Sequence, residues 1–160
     1  MKRLFTIAVA LLISFGLIAC SVNEKAPEEN ITPTASPEPG KEGNDMILLI
    51  GDTPVQVAWE DNRTVEALRA MVASAPLTVS MSMYGGFEQV GSIGQSLPKD
   101  DRKITTEAGD IVLYSGNKIV VFYGSNTWEY TKLGHISDKT AQELAELFGN
   151  GDVSLKIRNE

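Results

Sequence analysis

Hydrophobic positions divide the chain into three segments of different character. Residues 1–19 are almost continuously apolar, residues 20–44 hold almost no large apolar side chain, and short periodic runs begin at Met46. Only the third segment has the pattern of a packed core, so we expect one domain over residues 45–160. A chain of 160 residues is long enough for one such domain and too short for two.

Most of the periodic runs in the third segment predict β-strands. They alternate or are continuously apolar, and Gly, Pro, Asn, Asp or Ser residues separate them. The predicted strands are residues 46–50, 54–60, 77–83, 104–106, 111–114, 119–123, 128–133 and 153–157. The Gly116-Asn117 pair indicates a hairpin between the fifth and the sixth of these strands.

Two segments have helical rather than strand periodicity. Asn62 can cap a helix over residues 63–73, and Ser137 can cap a second helix over residues 138–148 with Asp138 in its first turn. Each helix has one apolar side that needs a surface to cover. A closed eight-stranded antiparallel β-barrel with a helix over each open end provides both surfaces and leaves no edge unpaired. We therefore predict a mainly β fold of this architecture.

The glycine-rich stretch from Tyr84 to Gly94 has two interpretations. It is not a phosphate loop, because neither a Lys-Ser/Thr pair nor a helix follows it. Glycine tolerates positive φ and close backbone approach, which favours a turn or bulge in a bent strand. The alternative is a loop that presents Tyr84 and Phe87 to a ligand.

The N-terminal segment has the three parts of a secretory signal. Lys2 and Arg3 precede an apolar core, and the residues from Leu17 to Cys20 fit the bacterial lipobox. By that resemblance, residues 1–19 form a signal peptide, and Cys20 receives the lipid and becomes the mature N-terminus. The alternative is an ordinary signal or a transmembrane anchor in which Cys20 is incidental. The apolar run is short for a span, which needs roughly 20 residues.

Residues 20–44 follow as a tether rich in proline and glutamate, which cannot bury enough apolar surface to order itself. We expect it to hold the domain away from a cell membrane or outer membrane, on the extracytoplasmic side. The formal net charge is −7 for the whole chain, and loss of Lys2 and Arg3 with the signal makes it more negative. An acidic protein is repelled by phosphate backbones, so nucleic acid is an unsuitable partner. We also expect the protein to contact the membrane through its lipid anchor and to be a monomer.

Composition also limits the chemistry of the domain. One cysteine and one histidine allow no intramolecular disulfide and no cysteine-based metal site. Met81 and Met83 are explained as strand residues, and Asp100, Asp101 and Asp110 as loop or turn residues. We therefore expect no metal and no cofactor.

Several short motifs resemble those of the bacterial cyclophilin-like proteins. They are DN-x-T before the first helix, SLP at residues 96–98, GDIVLY, the aromatic strand VVFYG, and LG-x-I before the last helix. The resemblance runs from Met46 to Ile157 and implies the same eight-stranded barrel capped by two helices. True cyclophilins are prolyl isomerases that use an arginine in an FHR-type strand and a glutamine in a QGGD-type stretch. Here FHR is missing and YGGFEQ has the wrong order, so the resemblance implies the fold without the activity.

Aromatic residues near the predicted turns indicate a binding groove, because aromatics with polar tips suit half-wet surfaces. The candidate ligand-binding residues are Tyr84, Phe87, Gln89, Tyr123, Trp128 and Tyr130. We expect a non-catalytic binding or scaffold module for an unknown peptide or small molecule. The alternative is a surface-anchored prolyl isomerase or peptide-handling enzyme, which rests on the fold alone.

Overall fold

The computed structural model describes residues 46–149 and 151–160. The signal, the lipobox with Cys20 and the tether predicted for residues 1–44 lie outside the described residues.

Ten strands and two helices make up the described residues. In chain order they are β1 Met46–Ile50, β2 Thr53–Val55, β3 Val57–Trp59, α1 Arg63–Ser74, β4 Leu77–Tyr84, β5 Glu88–Ser92, β6 Arg102–Thr105, β7 Asp110–Tyr114, β8 Lys118–Phe122, β9 Thr127–Ile136, α2 Ala141–Phe148 and β10 Val153–Asn159. Neighbouring strands are antiparallel throughout.

The sheet is a ring that closes through a break in one strand. Its order is β2-β1-β10-β4-β5-β8-β7-β9-β3, and β6 pairs only with β9, off this path. The two ends of the path, β2 and β3, are halves of one segment interrupted at Gln56. There the carbonyl of Gln56 accepts from the amide of Ser137, and the amide of Gln56 donates to the carboxylate of Asp138. Neither group pairs with a neighbouring strand. With β2 and β3 counted together, eight strands form the ring, which is the number predicted. One member differs: β6, which overlaps the predicted strand 104–106, lies outside the ring, and its place is taken by β5, which was not predicted because its glycines indicated a turn or bulge.

The main core fills the barrel and continues into both helices. Val65, Leu68 and Val72 of α1 are buried in it, as are Leu144 and Phe148 of α2. The helices lie near opposite ends of β8. Residue Met71 of α1 contacts Gln95, close to the turn that precedes β8, while Phe148 packs on Tyr123, just after β8 ends. Neither helix of the described chain has the length and apolar character needed to cross a bilayer.

A second, smaller cluster lies on the outer face of the barrel. Val112, Val120, Phe122 and Tyr130 are its buried members, whereas Ile111 and Leu113 beside them point into the main core. Successive side chains of β7 and β8 therefore point alternately into the main core and into the outer cluster. This explains why residues 111–113 and 119–122 are apolar without interruption.

The predicted helix starts are correct for α1 and wrong for α2. Asn62 caps α1 by accepting from the backbone amides of Thr64 and Val65. In contrast, α2 begins at Ala141, and its cap is Thr140, which forms a capping box with Glu143. Ser137 and Asp138 lie before the helix because they satisfy the backbone of Gln56 at the break between β2 and β3.

Candidate functional site

A cavity on the outer face of the barrel combines aromatic walls with charged ends. Its volume is about 290 Å³. The residues that line it are Tyr84, Glu88, Val90, Tyr114, Lys118, Val120 and Tyr130. We call it the tyrosine pocket.

The pairing of β5 with β8 determines which side chains reach the tyrosine pocket. Glu88 is paired with Phe122, Val90 with Val120, and Ser92 with Lys118. Residues two apart share a face of a strand, so Glu88 and Lys118 lie at opposite ends of one outward row. The valines between them form the floor.

Two glycines allow Tyr84 to stand beside Glu88. Gly85 and Gly86 have φ values of +64° and +78°, which an L side chain rarely adopts, and they form the turn between β4 and β5. This turn pairs Tyr84 directly with Glu88. The Tyr84 side chain is 68% exposed at the mouth of the pocket.

Tyr130 forms the opposite, buried wall. Its ring meets Phe122 and Tyr114 edge to face, with centroids 5.7 Å and 5.9 Å away. The Nδ2 atom of Asn126 donates to its hydroxyl at 3.0 Å. Burial and the nearby Glu88 carboxyl raise the pKa of Tyr130, so this wall stays neutral.

Glu88 is the chemically unusual group of the pocket. Glu88 is only 6% exposed, and its Oε2 atom has no hydrogen-bond partner in the described part of the chain. Burial raises the pKa of this carboxyl. A buried polar atom without a partner is costly, so native proteins generally satisfy it. Glu88 lines the pocket, so a donor group on a bound ligand would lie next to this carboxyl.

The six residues predicted as a binding groove do not all come together. Tyr84 and Tyr130 line the tyrosine pocket, and Phe87 stacks behind it on Phe122 at 6.5 Å. Gln89 faces the barrel interior and donates from Nε2 to the carbonyl of Gly151. Tyr123 packs on Phe148 at 5.6 Å, and Trp128 is 57% exposed on β9. The last three residues are therefore separate from the pocket.

Sequence reasoning missed five residues of the pocket: the two valines of its floor, and Glu88, Tyr114 and Lys118. Tyr114 and Lys118 flank the predicted hairpin turn, which was a usable signal for their proximity. Glu88 was hidden inside the stretch interpreted as a turn or bulge. Its alternation with Val90 was visible, but the direction of that face depends on the pairing with β8.

A larger cleft lies between the start of α1, β6 and β9. Its volume is about 660 Å³. It is lined by Glu60, Asn62, Arg63, Thr64, Asp100, Arg102, Ile104, Tyr130, Thr131 and Lys132, and we call it the charged cleft. Its cations already have partners: Arg102 pairs with Asp100 at 2.9 Å, Lys132 with Asp110 at 3.1 Å, and Arg63 donates to the carbonyl of Lys99. We therefore place the candidate site in the smaller pocket, where a buried group is unpaired.

Comparison with known families agrees with this barrel. The cyclophilin-like family matches residues 48–158. The chain belongs to the cyclophilin-like family. No curated protein matches the sequence.

Two solved structures share the fold of this cyclophilin-like domain. The solution structure of the hypothetical protein AF2241 from Archaeoglobus fulgidus has 15% identity and a TM-score of 0.55, over 76% of this chain and 99% of that one. McbB in complex with tryptophan has 12% identity and a TM-score of 0.51, over 72% of this chain. The match covers 45% of the McbB chain, less than half its length. At these identities the likeness concerns the fold alone.

Three arginines of the described chain, Arg63, Arg69 and Arg102, lie outside the tyrosine pocket. Arg63 and Arg102 line the charged cleft, and Arg69 lies on α1. Among the described residues that line the tyrosine pocket there is no arginine. Positive charge there comes from Lys118, whose Nζ atom lies 5.8 Å from the centroid of the Tyr114 ring.

One cluster of side chains has the spacing of metal ligands. Glu107, Asp110 and His135 bring one ligand atom each within 4.8 Å of the others. Lys132 already places its ammonium 3.1 Å from Asp110 Oδ1, where a cation would bind. Burial alone would raise the pKa of Asp110, but hydrogen bonds with His135, the Glu107 amide and Lys132 outweigh it and lower the pKa. The cluster is explained as a charged network that fixes β7 to β9.

Proposed function

We propose that this protein is a membrane-anchored extracytoplasmic lipoprotein whose cyclophilin-like domain binds a small molecule or peptide in the tyrosine pocket. The observation that carries the binding proposal is the unpaired Oε2 atom of Glu88 at a cavity with tyrosine walls. Buried polar atoms are normally satisfied, and tyrosine rings supply contact area with little conformational entropy to lose. Both properties suit a ligand site more than a purely structural surface.

The proposal does not include prolyl isomerase activity. Stabilising a twisted amide calls for a donor aimed at the developing charge, and the arginine motif of true cyclophilins is missing from the sequence. We expect an isomerisation assay with a proline peptide to show no rate above background.

The membrane anchor rests on the lipobox. Cys20 is the single cysteine of the chain, and it stands where lipidation requires it. A lipid anchor followed by a tether would leave the tyrosine pocket accessible to ligands outside the cytoplasm.

The binding proposal is tested by a thermal-shift screen of the full chain against small peptides and metabolites. Affinities of the hits are then measured for the wild type, for Tyr84→Ala and for Trp128→Ala. Both aromatics are largely exposed, but only Tyr84 lines the tyrosine pocket. We expect Tyr84→Ala to weaken a hit about tenfold, equivalent to about 1.4 kcal/mol, and Trp128→Ala to leave it unchanged. Hits whose affinity is unchanged by Tyr84→Ala, or a screen with no hits, would refute the proposal.

A further inference from the structure

We infer that the tyrosine pocket recognises a dipeptide-sized zwitterion, with the ligand's ammonium group at Glu88 and its carboxylate at Lys118. This inference rests on the proposed binding function and adds the chemical class of the ligand.

The two charged residues are arranged as the ends of one slot. On the β5–β8 ladder, Lys118 pairs with Ser92, which lies four residues after Glu88, and the Val90–Val120 pair lies between them. At about 3.3 Å per residue, the backbone positions of Glu88 and Lys118 are about 13 Å apart along the strands. No salt bridge joins Glu88 to Lys118 in the described residues. Opposite charges at two ends of a cavity, not satisfied by each other, favour a ligand that carries both.

The spacing suits a short peptide with free termini. An extended dipeptide spans about 7 Å at most. The side chains of Glu88 and Lys118, which can lean along their strands, cover the remaining distance. A cavity of about 290 Å³ is at the small end for ligand pockets, which excludes a folded partner.

Glu88 is the better placed of the two groups for binding energy. Its carboxyl lines the pocket, and its enclosed Oε2 atom lacks a partner in the described chain, so an ammonium group beside the carboxyl would offset the missing contact. A charge-assisted hydrogen bond away from water is stronger than one at the surface. Burial raises the pKa of Glu88, and a bound ammonium would lower it again, so binding near neutral pH would be accompanied by release of any proton held there.

Lys118 is held at the other end by an aromatic ring. Its ammonium lies over Tyr114, a contact that restrains the side chain near the pocket. Three N–H donors remain available for a carboxylate. The exposed ring of Tyr84 is positioned to cover an apolar side chain of the ligand.

The test is isothermal titration of the full chain with alanyl-phenylalanine and two analogues that each remove one charge. N-acetylation removes the ammonium, and C-terminal amidation removes the carboxylate. We expect either change to weaken binding at least tenfold. Equal affinity for all three compounds would overturn the inference.

Charge-removing variants assign each ligand group to a residue. Glu88→Gln should lower the affinity for the dipeptide at least tenfold but leave the affinity for the acetylated form unchanged. Lys118→Met should weaken the dipeptide and leave the amide unaffected, and Lys103→Met, on β6 outside the pocket, should change nothing. Circular dichroism of each variant verifies that it is folded. If neither Glu88→Gln nor Lys118→Met weakens binding of the dipeptide, the assignment is wrong.

The failure of this inference is distinguishable from failure of the proposed function. If the dipeptide series does not bind but a screening hit of another class depends on Tyr84, the zwitterion is wrong and the pocket function stands. If no compound shows dependence on Tyr84, both are wrong.

Discussion

Glu88 is a buried carboxyl on the outer face of the barrel, so its protonation is coupled to folding. Burial raises the pKa of Glu88 above its usual value in the folded chain. A raised carboxyl pKa gives stability that is fully present below the unfolded pKa and is lost as pH rises through the folded pKa. The domain therefore becomes less stable toward neutral pH because of this one group.

Replacing Glu88 with glutamine should remove that loss, because the amide has a similar shape and no charge. We expect the melting temperature of Glu88→Gln to exceed that of the wild type by a few degrees at pH 8. The difference should shrink toward pH 4, where the wild-type carboxyl is protonated. Thermal unfolding of both proteins between pH 4 and pH 8 measures it. Burial raises the pKa of Tyr123 and Tyr130, so these neighbours stay protonated over this range. A pH-independent difference would contradict the coupling.

At the scale of elements, the start of α2 shows where local chemistry decides a boundary. Thr140 accepts from the amide of Glu143 at 3.3 Å, and Glu143 accepts from the amide of Thr140 at 2.8 Å. This reciprocal pair satisfies backbone donors that a helix start leaves free. The hydroxyl of Ser137 instead lies 3.4 Å from the carbonyl of Gln56, a weak contact.

Thr140→Ala should therefore lower the free energy of unfolding by about 1 kcal/mol, the usual cost of losing an N-cap. The matched control is Ser137→Ala, which should change it by less than about 0.5 kcal/mol. Denaturant titration of the two variants gives both values. A Ser137→Ala cost as large as that of Thr140→Ala would mean that the helix begins earlier than the structure shows.

The elements that were predictable from sequence have signals contained within a few residues. Asn62 caps α1, Gly116-Asn117 turns between β7 and β8, and hydrophobic periodicity identified most strands. The start of α2 was mispredicted although Thr140 and Glu143 have the spacing of a capping box, which Ser137 lacks. The backbone of Gln56, 81 residues from Ser137 in the chain, additionally holds Ser137 outside the helix.

The site was less predictable than the fold, because it depends on which face of each strand is inside. In β5, Gln89 and Gly91 face the core while Glu88 and Val90 face out. A side chain at Gly91 would collide with Val79 and Met81 of the main core, which fixes this orientation. The pairing of β5 with β8 is non-local, because it joins Glu88 to Phe122, so the local sequence could not separate Gln89 from the site or include Glu88.

At the scale of the whole molecule, the barrel leaves the tyrosine pocket on its outer face. Interior space is filled by the main core, and the two helices contribute to that core from near opposite ends of β8. A ligand can therefore reach the tyrosine pocket without opening the fold. This arrangement suits the proposed function, in which a lipid anchor outside the domain holds the pocket at a membrane.

Cys20→Ala tests that anchor in the intact protein. Stable attachment needs two or more acyl chains, each contributing about 0.8 kcal/mol per buried CH₂, so loss of the lipidated sulfur should release the protein from membranes. We expect the wild type and the control Ser21→Ala to sediment with membranes, and Cys20→Ala to move to the aqueous fraction. Mass spectrometry of the wild-type N-terminus should detect a lipid on Cys20. If Cys20→Ala still sediments and needs detergent for extraction, the apolar segment itself is the anchor and the lipoprotein proposal is wrong.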